Sequence, residues 1–249
     1  MQAAQTLAPP RSFNNDDFLR PFANAPQVSR HTTYLDDPKL EKIFALRYQV
    51  YCIENSFLSA ENFKAQLETD LYDARSVHFS SSNSDGDVLA CARLITAQDQ
   101  YSFPTLTNCD IDSSFNAPAA VLCGEVSRLM VSPILRRRNT DQINGLSLKP
   151  TETYTDAAND VRHYPFNVLL LLAVYRSIYQ YCRFHRILYL YASMEPSLER
   201  NLRRLGFVFQ PIGAESNYLG TVIPYILTLD HLHQNISKID KRLATWICH

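Results

Sequence analysis

The sequence predicts a single mixed α/β domain, and three observations carry that expectation. Its periodic segments run helix, strand, strand, strand, helix, strand, helix, strand, strand. One of them, Ile187–Ala192, is apolar throughout, as in a strand covered on both faces. The alternation is too irregular for a doubly wound nucleotide fold, and neither G-x-G-x-x-G nor G-x-x-x-x-G-K-[ST] occurs.

The elements follow in order. Residues 1–30 lack periodicity and carry Pro9-Pro10 and Asn14-Asn15-Asp16-Asp17, which predicts a loosely held arm. A first helix is expected over Pro38–Cys52, capped by Asp36 or Asp37, with Leu40, Ile43, Phe44, Arg47, Val50 and Tyr51 on one stripe. Arg47 within that stripe is either paired or functional. Strands are expected at Ser76–Ser81 and Val88–Thr96 around the turn Asn83-Ser84-Asp85-Gly86. Tyr101–Ala120 reads as a loop, and Cys123–Val131 as the next strand. Residues 139–160 are a long polar insertion. A buried helix follows over Pro165–Phe184, apolar around most of its circumference early on. Glu195–Leu205 is a helix stopped by Gly206, and strands Phe207–Pro211 and Ile223–Leu229 close the sheet. The segment 231–249 is amphipathic. Residues 31–230 therefore form the main domain, between the arm and that last segment.

A chain of 249 residues, 46% of them apolar, can bury a large core. A net charge of −1 excludes a general nucleic-acid binder. No charged start precedes an apolar run of signal type, and Val168–Tyr175 falls well short of the roughly 20 residues that span a bilayer. No transmembrane segment is expected. Six scattered cysteines without a CxxC pair read as reduced thiols of a cytoplasmic protein, with no disulfide framework and no metal site.

Charge is placed unusually. Glu68, Asp70 and Asp73 run into Val77-His78-Phe79, and Glu125-Val-Ser-Arg128 begins an apolar strand. With Arg47 and Arg93 they make four acids and three bases at the mouths of core strands, where charge is costly unless paired or used. A polar pocket cut into a sheet needs such a balanced set, and structural ion pairs at strand ends are the alternative. Glu125, beside Leu122 and Val126, is the first candidate for a base, its alternative role being to pair with Arg128 or Arg93. Asp70 and Asp73, three apart, can converge in a turn but would lie on opposite faces of an extended strand, so a loop or turn is expected there, with either residue orienting the acceptor amine or buttressing Arg47 and Arg93. Cys123 reads as a buried thiol and His78 as a strand side chain.

Leu46-Arg47-Tyr48-Gln49-Val50-Tyr51, Glu68-Thr69-Asp70-Leu71-Tyr72-Asp73, Ala92-Arg93-Leu94 and Glu125-Val126-Ser127-Arg128-Leu129 together resemble the acyl-homoserine-lactone (autoinducer) synthases. They resemble still more the N-acyl amino acid synthases and the acyltransferases associated with PEP-CTERM/exosortase systems, all within the GNAT superfamily. The resemblance covers about residues 38–230. It implies the GNAT fold, a mixed central sheet flanked by helices whose two central strands splay apart around an acyl thioester. It implies an acyl-acyl carrier protein donor, or less often acyl-CoA, as co-substrate without a further cofactor. The acceptor it implies is an amine, either S-adenosylmethionine or an amino acid. Arg47, Asp70, Asp73, Arg93, Glu125 and Arg128 match the family's polar positions. The tryptophan usual in the homoserine-lactone branch is missing from Cys52–Leu58, which tilts the reading toward an amino acid acceptor.

Direct attack of an amine on a thioester needs a neutral amine, a polarised carbonyl and a donor held in line. The resemblance puts the oxyanion donors among backbone N–H groups of Leu129, Met130 and Val131. Arg136-Arg137-Arg138, with no Gly-x-Gly, suits one phosphodiester and an acidic carrier-protein surface, or is a solvated loop. Leu169–Val174 and Leu188–Tyr191 wall an acyl tunnel or are core. The segment 231–249 allows peripheral membrane contact or is an ordinary surface helix. The functions carried forward are N-acyl amino acid synthesis, homoserine-lactone synthesis, and a non-catalytic lipid- or protein-binding module.

Overall fold

The computed structural model describes residues 19–32, 37–98, 102–135, 154–156 and 161–249. After β1 (Ser29–Thr32) comes α1 (Pro38–Tyr48), with Asp37 as its N-cap. The Asp37 carboxylate accepts from the Lys39 N–H at 2.9 Å, and Pro38 occupies the first turn, where no N–H is missed. Leu40, Ile43, Arg47 and Val50 are buried along the expected stripe. The helix keeps its pitch only to Tyr48. Gln49–Glu54 is a π-helical turn in which the Asn55 N–H reaches the Val50 carbonyl at 3.3 Å.

β2 (Ser76–Ser82) and β3 (Val88–Thr96) form the expected hairpin. The stretch read as a loop after it contains α2 (Pro104–Asn108), a helix too short for periodicity to reveal. Then come β4 (Cys123–Val131), a separate hairpin of β5 (Tyr154–Asp156) and β6 (Val161–His163), and the buried α3 (Phe166–Phe184). β7 (Tyr189–Met194), α4 (Pro196–Arg204), β8 (Gln210–Pro211), β9 (Ser216–Asn217), β10 (Thr221–Thr228), α5 (Leu232–Ser237) and α6 (Lys241–Cys248) complete the chain.

Two strands begin later than expected, for one reason. The Ile187 N–H bonds the Cys182 carbonyl at 2.9 Å, and the Phe207 N–H bonds Leu202 at 3.0 Å. Both bonds close helix C-termini through a residue of positive φ, Arg186 at 59° and Gly206 at 90°. Helix capping thus consumes the first apolar residues of each expected strand.

Eight strands make one sheet, in the order β1-β2-β3-β4-β7-β10-β8 with β9 beside β10. Every neighbouring pair is antiparallel except β4 and β7. Alternation along the central strands sends Val77, Phe79, Ala92, Leu94 and Val126 into the core with α3. The opposite face packs Cys91 and Met130 against Leu40 and Ile43 of α1 and Val50 of the π-helical turn. Each face of the sheet is therefore covered, as its apolar strands require.

The parallel pairing of β4 with β7 is short. It runs Cys123↔Tyr189, Gly124↔Leu190 and Glu125↔Tyr191, and stops. Beyond Glu125 β4 continues to Val131 beside β3 and β7 to Met194 beside β10, but not paired with each other, so the central strands part.

Leu232, Ile236, Leu243, Ala244, Trp246 and Ile247 from the C-terminal helices are buried in the same core as α3. Phe22 stacks on Trp246, with centroids 4.8 Å apart. The apolar face of this segment, for which membrane contact is one of two readings, is thus enclosed within the protein. Among the described residues no helix is long and apolar enough to cross a membrane.

Candidate functional site

The charged residues singled out from the sequence come together, and six of them close a ring. Arg47 leaves α1 and donates through Nε to Glu68, while its Nη1 and Nη2 reach the Asp73 oxygens at 2.7 and 3.1 Å. Arg93, on β3, donates from Nη1 to Asp73 at 2.8 Å and to Asp70 at 2.5 Å. Arg128, on β4, donates from Nη2 to Asp70 at 3.2 Å and to Glu68 at 2.8 Å. The circuit is therefore Arg47, Asp73, Arg93, Asp70, Arg128, Glu68 and back to Arg47, with signs alternating throughout.

Each part of the ring is locally determined. Asp70 and Asp73 sit in a turn, as their spacing requires, where the Asp73 carboxylate accepts from the Asp70 N–H at 2.8 Å and Asp70 from the Tyr72 N–H at 2.9 Å. Arg128 depends on a bulge. The β3–β4 register passes from Cys91↔Met130 to Arg93↔Ser127, one residue more on β4, and Arg128 has φ 52°. The bulge presents Ser127 and Arg128 on the same face. Ser127 Oγ accepts from Arg93 Nε at 3.0 Å, and the Arg128 guanidinium lies 4.6 Å from the Tyr51 ring centroid.

Burial makes complete pairing obligatory. Arg47, Glu68 and Arg93 are at most 1% exposed, and the Asp70 side chain, at 23%, is the most exposed of the ring. Burial disfavours the Glu68 carboxylate, yet hydrogen bonds and charge from Arg128 and Arg47 outweigh it and hold the group at about 2. For Asp73, Arg47 and Arg93 overcome burial in the same way and keep it below the usual carboxylate range. Burial works against the charge of Arg47 and Arg128 as well, but Asp73 and Glu68 beside Arg47, and Tyr51, Glu68 and Asp70 beside Arg128, hold both above the usual arginine range. The ring is ionised and formally neutral. His78 lies beneath it, Nε2 3.6 Å from Asp73, with neither ring nitrogen hydrogen-bonded. Its burial, against the pull of Asp73, drops it to about 4.

Glu125 stands outside the ring. Among the described residues it makes no ion pair with Arg93 or Arg128; its Oε2 accepts from the Thr105 N–H at 2.9 Å, and the Thr105 hydroxyl also faces it. It is 2% exposed and sits at the last paired position before β4 and β7 part. Burial pushes its carboxyl up to about 7, against those hydrogen bonds and the nearby charges of Arg93 and Arg75.

Leu129 is half-buried against the core, while Met130 and Val131 are buried. Their side chains belong to the packing, which leaves only their backbone for a donor. Arg136, Arg137 and Arg138 lie outside the described residues.

The sequence reading overlooked Thr105, Ser193 and Tyr218. Thr105 Oγ1 meets Ser193 Oγ at 2.9 Å, across from β7. Tyr218, in the loop before β10, faces Arg128 and Glu125, and burial raises its phenol. These polar residues lie in segments without charge motifs, so no local signal marks them.

Residues 46–144 match the family model described as an acetyltransferase (GNAT) domain. Among solved structures the chain is similar to TofI, in a ternary complex with an inhibitor and MTA, at 18% identity over 87% of this chain and 99% of that one, with TM-score 0.58. It is likewise similar to BjaI, a CoA-dependent acyl-homoserine lactone synthase with SAM and isopentyl-CoA, at 18% identity over 88% and 89% of the two chains, with TM-score 0.59. A third similarity is to the AHL synthase LasI, 18% identical over 82% and 88%, with TM-score 0.52. No curated protein matches the chain. The architecture expected from the sequence, a GNAT fold with a large mixed sheet between helices, is the one observed.

Proposed function

We propose that this chain, which carries a GNAT acyltransferase domain, is an N-acyltransferase moving a fatty acyl group from a thioester to the amine of an amino acid or similar acceptor. The observation that supports this most is the parting of β4 and β7 immediately after a buried, readily protonated Glu125. A carboxyl with its pKa near 7 suits a base that must take a proton from an ammonium and release it again. The unpaired side of β4 beyond Glu125 offers backbone N–H groups to a thioester oxygen. The ring of six charges fixes the first helix, the acidic turn, β3 and β4 around that gap, so its members act chiefly as positioning residues. Asp70, partly exposed, is the member able to meet an ammonium directly.

The donor in this reading is acyl-acyl carrier protein, or acyl-CoA, met in the cytoplasm. Residues 31–230 form the catalytic unit. The link to PEP-CTERM/exosortase systems rests on the sequence resemblance. A second reading, homoserine-lactone synthesis from S-adenosylmethionine, is favoured by the similarity to structures of such synthases. Against it, Cys52–Leu58 offers Phe57 and no tryptophan.

Mass spectrometry of lipids from a host expressing the chain separates the readings. New N-acyl amino acids are expected; homoserine lactones would establish the second reading. A soluble, folded chain that adds no acyl-amine product would overturn both in favour of a binding module.

A further inference from the structure

Glu125 is 2% exposed beneath α2, its carboxylate held by the Thr105 N–H, so an acceptor amine in the gap needs a path to it. Thr105, whose N–H holds the carboxyl, is hydrogen-bonded through its hydroxyl to Ser193 on β7. Ser193 is half-buried on β7 two residues past Tyr191, where pairing with β4 has ended. Its Oγ lies 2.9 Å from Thr105 Oγ1 and 3.3 Å from Cys109 Sγ.

The direction of this chain follows from its ends. A carboxylate only accepts, so a proton can reach Glu125 from the Thr105 hydroxyl that faces it only if that hydroxyl turns to donate while its oxygen accepts from Ser193. Ser193 then has a lone pair for a donor from the other side. In the free protein the Cys109 thiol, 3.3 Å away and raised by burial, can supply that donor. We propose that Ser193 and Thr105 form a proton relay from the acceptor ammonium to Glu125, with Ser193 the catalytic residue that touches the amine.

The step balances. The ammonium N–H proton passes to Ser193 Oγ, the Ser193 proton to Thr105 Oγ1, and the Thr105 proton to the Glu125 carboxylate. The amine gains the lone pair that attacks the thioester carbon; the C–S bond breaks as the amide C–N bond forms, and the second proton shed by the nitrogen goes to the departing sulfur, which leaves as a thiol. Both hydroxyls are regenerated with their hydrogen bonds reversed, and they turn back before the next cycle. Arg93 on β3, Arg75 ahead of β2, Tyr191 on β7, Tyr218 in the loop before β10 and Cys109 are the other titratable groups facing Glu125.

This inference rests on the reading of Glu125 as base. The test compares wild type, T105V, T105S, S193A and E125Q, purified and checked by thermal melt, in single-turnover transfer from acyl-CoA to an amino acid between pH 6 and 10. T105V keeps the backbone N–H that holds Glu125. Below the pKa of the amine, T105V and S193A are expected to lose about 10²-fold in rate, in line with general base catalysis. The loss should shrink as pH rises and the amine arrives neutral, T105S should recover most of it, and donor KM should not change. A purely structural role predicts a loss that is the same at every pH. Unchanged rates in T105V and S193A beside an impaired E125Q would overturn the relay and leave Glu125 as base. A fully active E125Q would remove the base and the relay with it, while acyl transfer stood.

Discussion

Arg47 grips Asp73 with both terminal nitrogens, at 2.7 and 3.1 Å, and so ties the first helix to the turn that leads into β2. Two-pronged contacts of this kind fix orientation as well as distance. In a ring whose members are nearly all out of water, each charge is tolerable only because its two neighbours are present.

Removing one member should therefore cost far more than a surface pair would. Arg47→Met is expected to destabilise the protein by about 3–5 kcal/mol, the range for breaking a buried pair. Chemical denaturation would check this, and a double-mutant cycle with Asp73→Asn should show strong coupling. A cost under about 1 kcal/mol would mean that the ring is not the buried network described.

Glu125 should make stability depend on pH in a recognisable way. Its folded pKa of about 7 lies above its ordinary value of 4.5, so the folded state keeps a proton that the unfolded chain gives up. The stability associated with that proton is complete below pH 4.5 and is lost as pH rises through 7. Glu125→Gln carries no such loss. Its stability relative to wild type should rise by on the order of 3 kcal/mol between pH 4.5 and 8, measured by urea denaturation at each pH.

His78 should behave in the opposite sense. Its pKa of about 4 lies below its ordinary 6.5, so its contribution is complete above pH 6.5 and is lost as pH falls through 4. Wild type should lose stability relative to His78→Leu across that window. An equal pH response in both would show that the imidazole protonates freely.

Gly206 ends α4 at φ 90°, and a Cβ there would lie 2.5 Å from the Ile236 Cα. Gly206→Ala should therefore push α5 off the core. A loss of several kcal/mol in unfolding free energy is expected, above the roughly 1 kcal/mol usual for a strained αL residue alone.

Much of this was legible in the sequence because charge and periodicity are local signals. The stripe from Leu40 to Val50 carries its own helical spacing, and Arg47 within it announces a buried partner. Asp70 and Asp73, three apart, would oppose one another in a strand, and they converge in the turn that their spacing suggested. What escaped depends on the third dimension. Nothing near Arg128 announces the bulge that turns it and Ser127 to one face, since the bulge exists only against β3. Thr105 and Ser193 are separated by 88 residues and become partners only once α2 lies over β7. Strand starts were misjudged at Ile187 and Phe207 because the closing of a helix and the opening of a strand use the same apolar residue.

The most direct test measures thiol release and acyl-amine product together, using purified protein with acyl-CoA or acyl-acyl carrier protein and a panel of amino acids near pH 7. Wild type should release one thiol for each N-acyl product, and Glu125→Gln should be slower by about 10²-fold or more. Equal turnover by the two folded proteins would contradict the role of Glu125 as base, and thioester left intact with every acceptor would contradict the claim that an amine meets a thioester where β4 and β7 part.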